Sequence, residues 1–132
     1  MRAAVDRGVN FLDTAEAYGA GYSEELIAEA LGDVRDQITI ATKASGAKDR
    51  DDVLRKIETS LETLGTDHVD LLQLHNPRAL PDPDDPNSLY RGLIEAREQG
   101  MTRYIGLSNH RRSLAEQAVR SGLYDTLQFP LS

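Results

Sequence analysis

Leu61-Glu62-Thr63-Leu64-Gly65-Thr66-Asp67-His68-Val69-Asp70-Leu71-Leu72-Gln73-Leu74-His75 carries, in one short stretch, the end of a helix, a turn, a strand and a polar strand end. Leu61 and Leu64 continue an apolar stripe begun by Val53 and Ile57 at helical spacing. Asp51 or Asp52 stands before the stripe as an N-cap, where a carboxylate accepts free helix N–H groups. Gly65 follows it as a residue able to turn the chain left-handed. Val69 to Leu74 is then a short apolar run that reads as a strand.

The same unit recurs in both directions. Further strands are predicted at Phe11-Leu12, Ile38 to Thr42, Tyr104 to Leu107 and Leu127 to Phe129. Helices are predicted between them: one capped by Ser23 and stopped by Gly32, one capped by Ser88 and stopped by Gly100, and one capped by Ser113 and stopped by Gly122. Ala3 to Arg7, before Gly8, reads as the tail of another helix. Alternating strand and helix forces parallel pairing with right-handed crossovers. The strand starts at positions 11, 38, 69, 104 and 127 recur at about the 31-residue interval of a (β/α)8 barrel of ~250 residues. The fold class is therefore α/β, a partial TIM (β/α)8 barrel of five parallel strands with alternating helices. Residues 1–132 form a single incomplete barrel domain. The one long loop, Asn76 to Asn87, is punctuated by Pro77, Pro81, Pro83 and Pro86.

Composition narrows the function. The 132 residues carry 22 acidic and 15 basic side chains, a net charge of −7. A nucleic-acid binder needs clustered Lys and Arg to displace counterions from phosphates, so that class is excluded. The chain has no cysteine, which removes disulfides, thiolate metal sites and cysteine nucleophiles. No metal site is predicted. The proline-separated Asp82, Asp84 and Asp85 read as solvated loop charges. No apolar run approaches the ~18 residues of a membrane span. Met1-Arg2-Ala3-Ala4-Val5-Asp6 lacks the apolar core of a signal peptide, so the expected location is cytoplasmic.

The strand ends hold the chemistry. Asp13, Lys43, His75, Ser108 with Asn109, and Gln128 stand where five successive strands finish. In a parallel barrel those ends share one face, the face that carries active sites. An open doubly wound sheet would concentrate its chemistry at a switch point, but no GxGxxG or Walker loop is present. Tyr18 follows Asp13 in a loop bent by Gly19 and Gly21, which can fold it over the barrel mouth. A phenol with a pKa of about 10 is a poor acid at neutral pH, and a lysine cation beside it favours the phenolate. Lys43 can serve in that role, with Asp13 as its charge-assisted partner. His75 can hydrogen-bond a substrate oxygen or the phenol.

These motifs resemble the aldo-keto reductases. The resemblance is carried by Gly8-Val9-Asn10-Phe11-Leu12-Asp13-Thr14-Ala15-Glu16-Ala17-Tyr18-Gly19 with Ser23-Glu24, by Ile40-Ala41-Thr42-Lys43, by Leu61 to His75, by Ile105-Gly106-Leu107-Ser108-Asn109, and by Gln128-Phe129-Pro130. It runs from about Ala4 to Leu131, with the motifs in the family's order. It implies a catalytic tetrad of Asp13, Tyr18, Lys43 and His75, with Tyr18 as general acid. It also implies that Ser108, Asn109 and Gln128 contact the nicotinamide carboxamide. The implied reaction is hydride transfer from NADP(H), with NAD as the other candidate, to a small aldehyde or ketone, giving an alcohol. Against the family's eight strands, the chain matches strands 2 to 6. The first strand and the last two, which bind the pyrophosphate and the 2′-phosphate, have no counterpart. Gln73-Leu74-His75-Asn76 together with Gln128-Phe129-Pro130 is similar to the members fused to a ferredoxin-like segment.

Ordinary readings stand beside these. Asp13 alone reads as a carboxylate bonding loop amides, Lys43 as a surface charge, Tyr18 as a half-buried loop aromatic, and His75 as a structural histidine. Ser108-Asn109 fits a helix cap as well as a cofactor contact. His68, His110, Arg111 and Arg112 read as solvated or structural, and Asp70 as a structural partner at the lower end of the barrel. The competing function is an inactive truncated barrel, either a binding or regulatory module or a non-functional fragment. Its open sheet edges would favour self-association.

Overall fold

The computed structural model describes residues 11–13, 22–31, 35, 38–75 and 77–128. The predicted helix over Ala3 to Arg7, the Tyr18 loop and Phe129 lie outside the described residues. Five strands form one sheet: β1 (Phe11–Asp13), β2 (Thr39–Ala44), β3 (Val69–His75), β4 (Thr102–Ser108) and β5 (Thr126–Gln128). They run in sequence order, every neighbouring pair parallel. Between them lie α1 (Tyr22–Leu31), α2 (Arg50–Leu64), α3 (Leu89–Glu98) and α4 (Arg112–Ser121). The sheet curls into the half-barrel that the alternating pattern predicts.

Several element boundaries differ from the sequence expectation. The cap of α2 is Asp49, whose side chain accepts from the Asp52 amide at 2.9 Å. Asp52 in turn accepts from the Lys48 amide at 3.0 Å. The two bonds tie the residue before the cap and the cap itself to the first turn of the helix. Asp51 and Asp52 therefore lie in the first turn, where their charge favours the helix dipole. Helix α1 begins at Tyr22, so Ser23 lies inside its first turn rather than before it. Ser113 likewise lies inside α4, whose N-cap position is Arg111. Only Ser88 caps where expected, accepting from the Arg91 amide at 3.3 Å. Strand β2 extends to Ala44, which places Lys43 within the strand.

Alternation along the strands separates two faces. Ile40, Ala44, Leu72, Leu74, Ile105 and Leu107 join Ile27, Val53, Ile57, Leu64, Leu93 and Ala96 of the helices in one core. That core lies between the sheet and its helices. The opposite face is the barrel lumen. Ala41, Leu71, Gln73, Thr126 and Gln128 line it together with Phe11, around a cavity of about 260 Å³.

Carboxylates fix the register at the lower strand ends. Asp70 Oδ2 accepts from the Ile40 amide at 2.9 Å and from Arg35 at 3.2 Å. Arg35 also donates to the carbonyls of Ile38 and His68, tying the start of β2 to that of β3. Asp70 is thus the structural partner its strand position predicts. Asp125 repeats the device, accepting from the Ile105 amide at 2.9 Å. A slip of one residue would turn every lumen side chain onto the helix face, so these bonds decide what the lumen contains.

Gly106 is a close-approach glycine. A Cβ there would stand 2.1 Å from Thr126 Oγ1 and 3.1 Å from the Thr126 carbonyl oxygen of β5. Gly106→Ala is expected to lower stability by about 1–3 kcal/mol, the cost of overpacking. That corresponds to roughly 3–5 °C of melting temperature per kcal/mol. Without the contact, alanine would raise stability through backbone entropy. A melting temperature at or above that of the unsubstituted protein would contradict the packing described.

Candidate active site

The strand pairing sets the candidate residues in layers. Asp13 pairs with Ala41, Ala41 with Leu71, and Leu71 with Tyr104, which gives one layer. Lys43, Gln73, Gly106 and Thr126 form the next. His75, Ser108 and Gln128 form the layer above, at the carboxyl ends of the strands. The strand positions of Asp13, Lys43, His75, Ser108 and Gln128 therefore share the lumen face. Asp13 lies one layer below Lys43 on the neighbouring strand, and His75 one layer above it. Tyr18 lies outside the described residues.

Lys43 is 3% exposed, which removes the reading of a surface charge. Burying an ammonium costs several kcal/mol unless its surroundings compensate it, so this placement requires a purpose in packing or chemistry. The adjacent Thr42 points to the helix side and donates to the buried Glu24 carboxylate at 2.9 Å. That bond pins α1 to β2 beside the lysine. Glu24 stands in the sequence motif, but its position two residues into α1 gives no hint that it faces Thr42.

His75 ends β3 half-buried, and its Nδ1 lies 3.0 Å from Ser45 Oγ. Ser45 is absent from every sequence-based expectation. Its only signal is its place two residues after Lys43, which puts it on the lumen side by alternation. Gln73 sits beside Lys43 in the same layer, 3% exposed, and its Oε1 has no hydrogen-bond partner. A polar residue two before His75 in an apolar strand is the signal that assigns it to the lumen.

Ser108 Oγ donates to the Leu74 carbonyl at 3.4 Å. Asn109 is buried. Its Nδ2 donates to the Pro77 carbonyl at 2.9 Å, its Oδ1 accepts from the Arg111 amide at 2.7 Å, and its own amide donates to the Gln128 carbonyl at 3.0 Å. It therefore binds the loop after β3, the entry to α4 and the end of β5 together. The N-cap position of α4 is Arg111, with no side-chain cap bond, so neither Ser108 nor Asn109 is the helix cap; Asn109 bonds the amide just before the helix. Gln128 is exposed at the rim. Among the described residues no cluster of three His, Asp or Glu side chains is placed to hold a metal ion. No described helix is long and apolar enough to cross a membrane.

A family model, "Aldo/keto reductase family", matches residues 1–129. The chain belongs to the aldo/keto reductase family. Aldo-keto reductase YhdN of Bacillus subtilis is 36% identical over 120 residues, which cover 83% of this chain and 35% of that protein. The 2,5-diketo-D-gluconic acid reductase B of a Corynebacterium is 36% identical over 110 residues, 83% of this chain and 39% of that one. Among solved structures, the thermostable aldo-keto reductase Tm1743 in complex with epalrestat superimposes with a TM-score of 0.80 at 37% identity, over 98% of this chain and 48% of its own. An aldo-keto reductase of Klebsiella pneumoniae in complex with NADPH gives 0.79 at 28% identity, over 90% and 41%. This aldo/keto reductase chain thus spans less than half the length of these relatives.

Proposed function

We propose that the whole protein reduces small aldehydes or ketones to alcohols with NADP(H), and that this chain supplies its acid–base centre. The observation that carries the reading is the burial of Lys43 on the lumen face, one layer from His75 and one from Asp13, in a member of this family. Tyr18 is the proton donor. Its hydroxyl gives a proton to the substrate oxygen, and the Lys43 ammonium favours the phenolate left behind. Asp13 balances the lysine charge across the neighbouring strand. His75 donates a hydrogen bond to the carbonyl oxygen and so fixes its orientation.

The upper layer suits a neutral amide. Ser108 and Gln128 of that layer, and Asn109 next to it in the chain, carry both donors and acceptors and no charge, and the cavity beneath is lined by Phe11, Ala41 and Leu71 with the neutral polar Gln73 and Thr126. These three residues would hold the carboxamide of a nicotinamide, and the bound cofactor would supply the hydride. NADP(H) is preferred to NAD because of the NADPH bound to the Klebsiella relative.

The test uses the whole protein with NADPH deuterated at the transferable C4 position and a panel of aldehydes. The product alcohol is expected to carry a single deuterium on its carbinol carbon. Product hydrogen derived from solvent, or no consumption of NADPH with any aldehyde, would overturn the reading.

A further inference from the structure

We propose that Ser45 is a positioning residue that sets the tautomer of His75. Register brings the two together. Lys43 pairs with Gln73 and Ala44 with Leu74, so the next step along both chains places Ser45 beside His75, where Oγ meets Nδ1 at 3.0 Å. A neutral imidazole carries its hydrogen on one ring nitrogen and a lone pair on the other, and a serine hydroxyl can serve either. The direction of this bond rests on the carbonyl-reduction reading. A carbonyl oxygen only accepts, so the ring must present N–H to it through Nε2. Nδ1 is then an acceptor, and the Ser45 hydroxyl is its donor. The bond also limits ring rotation, because turning the imidazole over would exchange Nδ1 for a carbon. Ser45 thus acts on the reaction through His75, as an outer partner that fixes tautomer and ring orientation. Such partners are familiar from histidines that act as general bases or metal ligands.

Nitrogen-15 spectra of His75 in the neutral ring state test this in the protein and in two variants. The unsubstituted protein is expected to show protonated Nε2 and unprotonated Nδ1. Ser45→Ala is expected to show a mixture of both tautomers, and Ser45→Thr, which keeps the hydroxyl, to restore the single one. In the whole protein, kcat/KM for aldehyde reduction should fall about threefold to tenfold in Ser45→Ala, the worth of one neutral hydrogen bond, and recover in Ser45→Thr. A hydrogen on Nδ1 in the unsubstituted protein would overturn the proposal, and that spectrum decides even if the alanine variant does not fold. A single unchanged Nε2–H tautomer in Ser45→Ala would overturn it as well. The two levels fail separately. Deuterium transfer with a tautomer independent of Ser45 defeats this inference alone. A tautomer that depends on Ser45 without deuterium transfer defeats the carbonyl-reduction reading alone.

Discussion

Replacement of Lys43 by methionine is expected to lower aldehyde turnover by the whole protein about a hundredfold or more. The two side chains are close in length and both are unbranched, so the substitution mainly deletes a charge. Lys43 is 3% exposed and lies between the Asp13 and His75 layers, where little solvent is present to screen that charge. With the ammonium gone, the proposed proton donor loses the cation the proposal assigns to its phenolate and returns toward the pKa of about 10 of a free phenol. A positioned proton donor contributes about 10²- to 10⁴-fold, and most of that contribution is at stake. Deleting a buried charge also leaves the groups that compensated it unbalanced, which destabilises, so kcat should be measured well below the variant's melting temperature, at saturating NADPH. Turnover within about threefold of the unsubstituted protein would contradict a catalytic use for this lysine.

The strands and their order were legible because each apolar run is bracketed by a glycine stop and a polar cap. Val69 to His75 alternates with helices on both sides, and only a parallel arrangement accommodates that rhythm. Caps were less legible. Asp49, Asp51 and Asp52 offer three carboxylates within one turn, and the backbone geometry at Asp49, not residue type, selects among them. At α4 the helix begins one residue before Ser113 and its N-cap position falls on Arg111, which makes no side-chain cap bond, so a capping residue type in the sequence did not mark the boundary.

The same contrast runs through the site. Position at a strand end was enough to place Lys43, His75, Ser108 and Gln128 on one face, because β-strand alternation is rigid. The burial of Lys43 was not legible. A lone lysine in a polar chain reads as a surface charge until the neighbouring strands are in register. Ser45 and Glu24 were missed for a related reason. Their partners, His75 and Thr42, are remote in sequence, and neither contact follows from local periodicity. Gly106 reads in sequence only as an interruption of a strand. The structure supplies the reason, since Thr126 occupies the space a side chain would need.

The central claim is that a phenol donates the proton beside a buried lysine, and Tyr18→Phe in the whole protein tests it most directly. The substitution removes one oxygen and leaves the ring. NADPH oxidation with an aldehyde substrate should fall about 10²- to 10⁴-fold in kcat, while NADPH binding changes by no more than a few fold. Turnover equal to that of the unsubstituted protein would contradict the account.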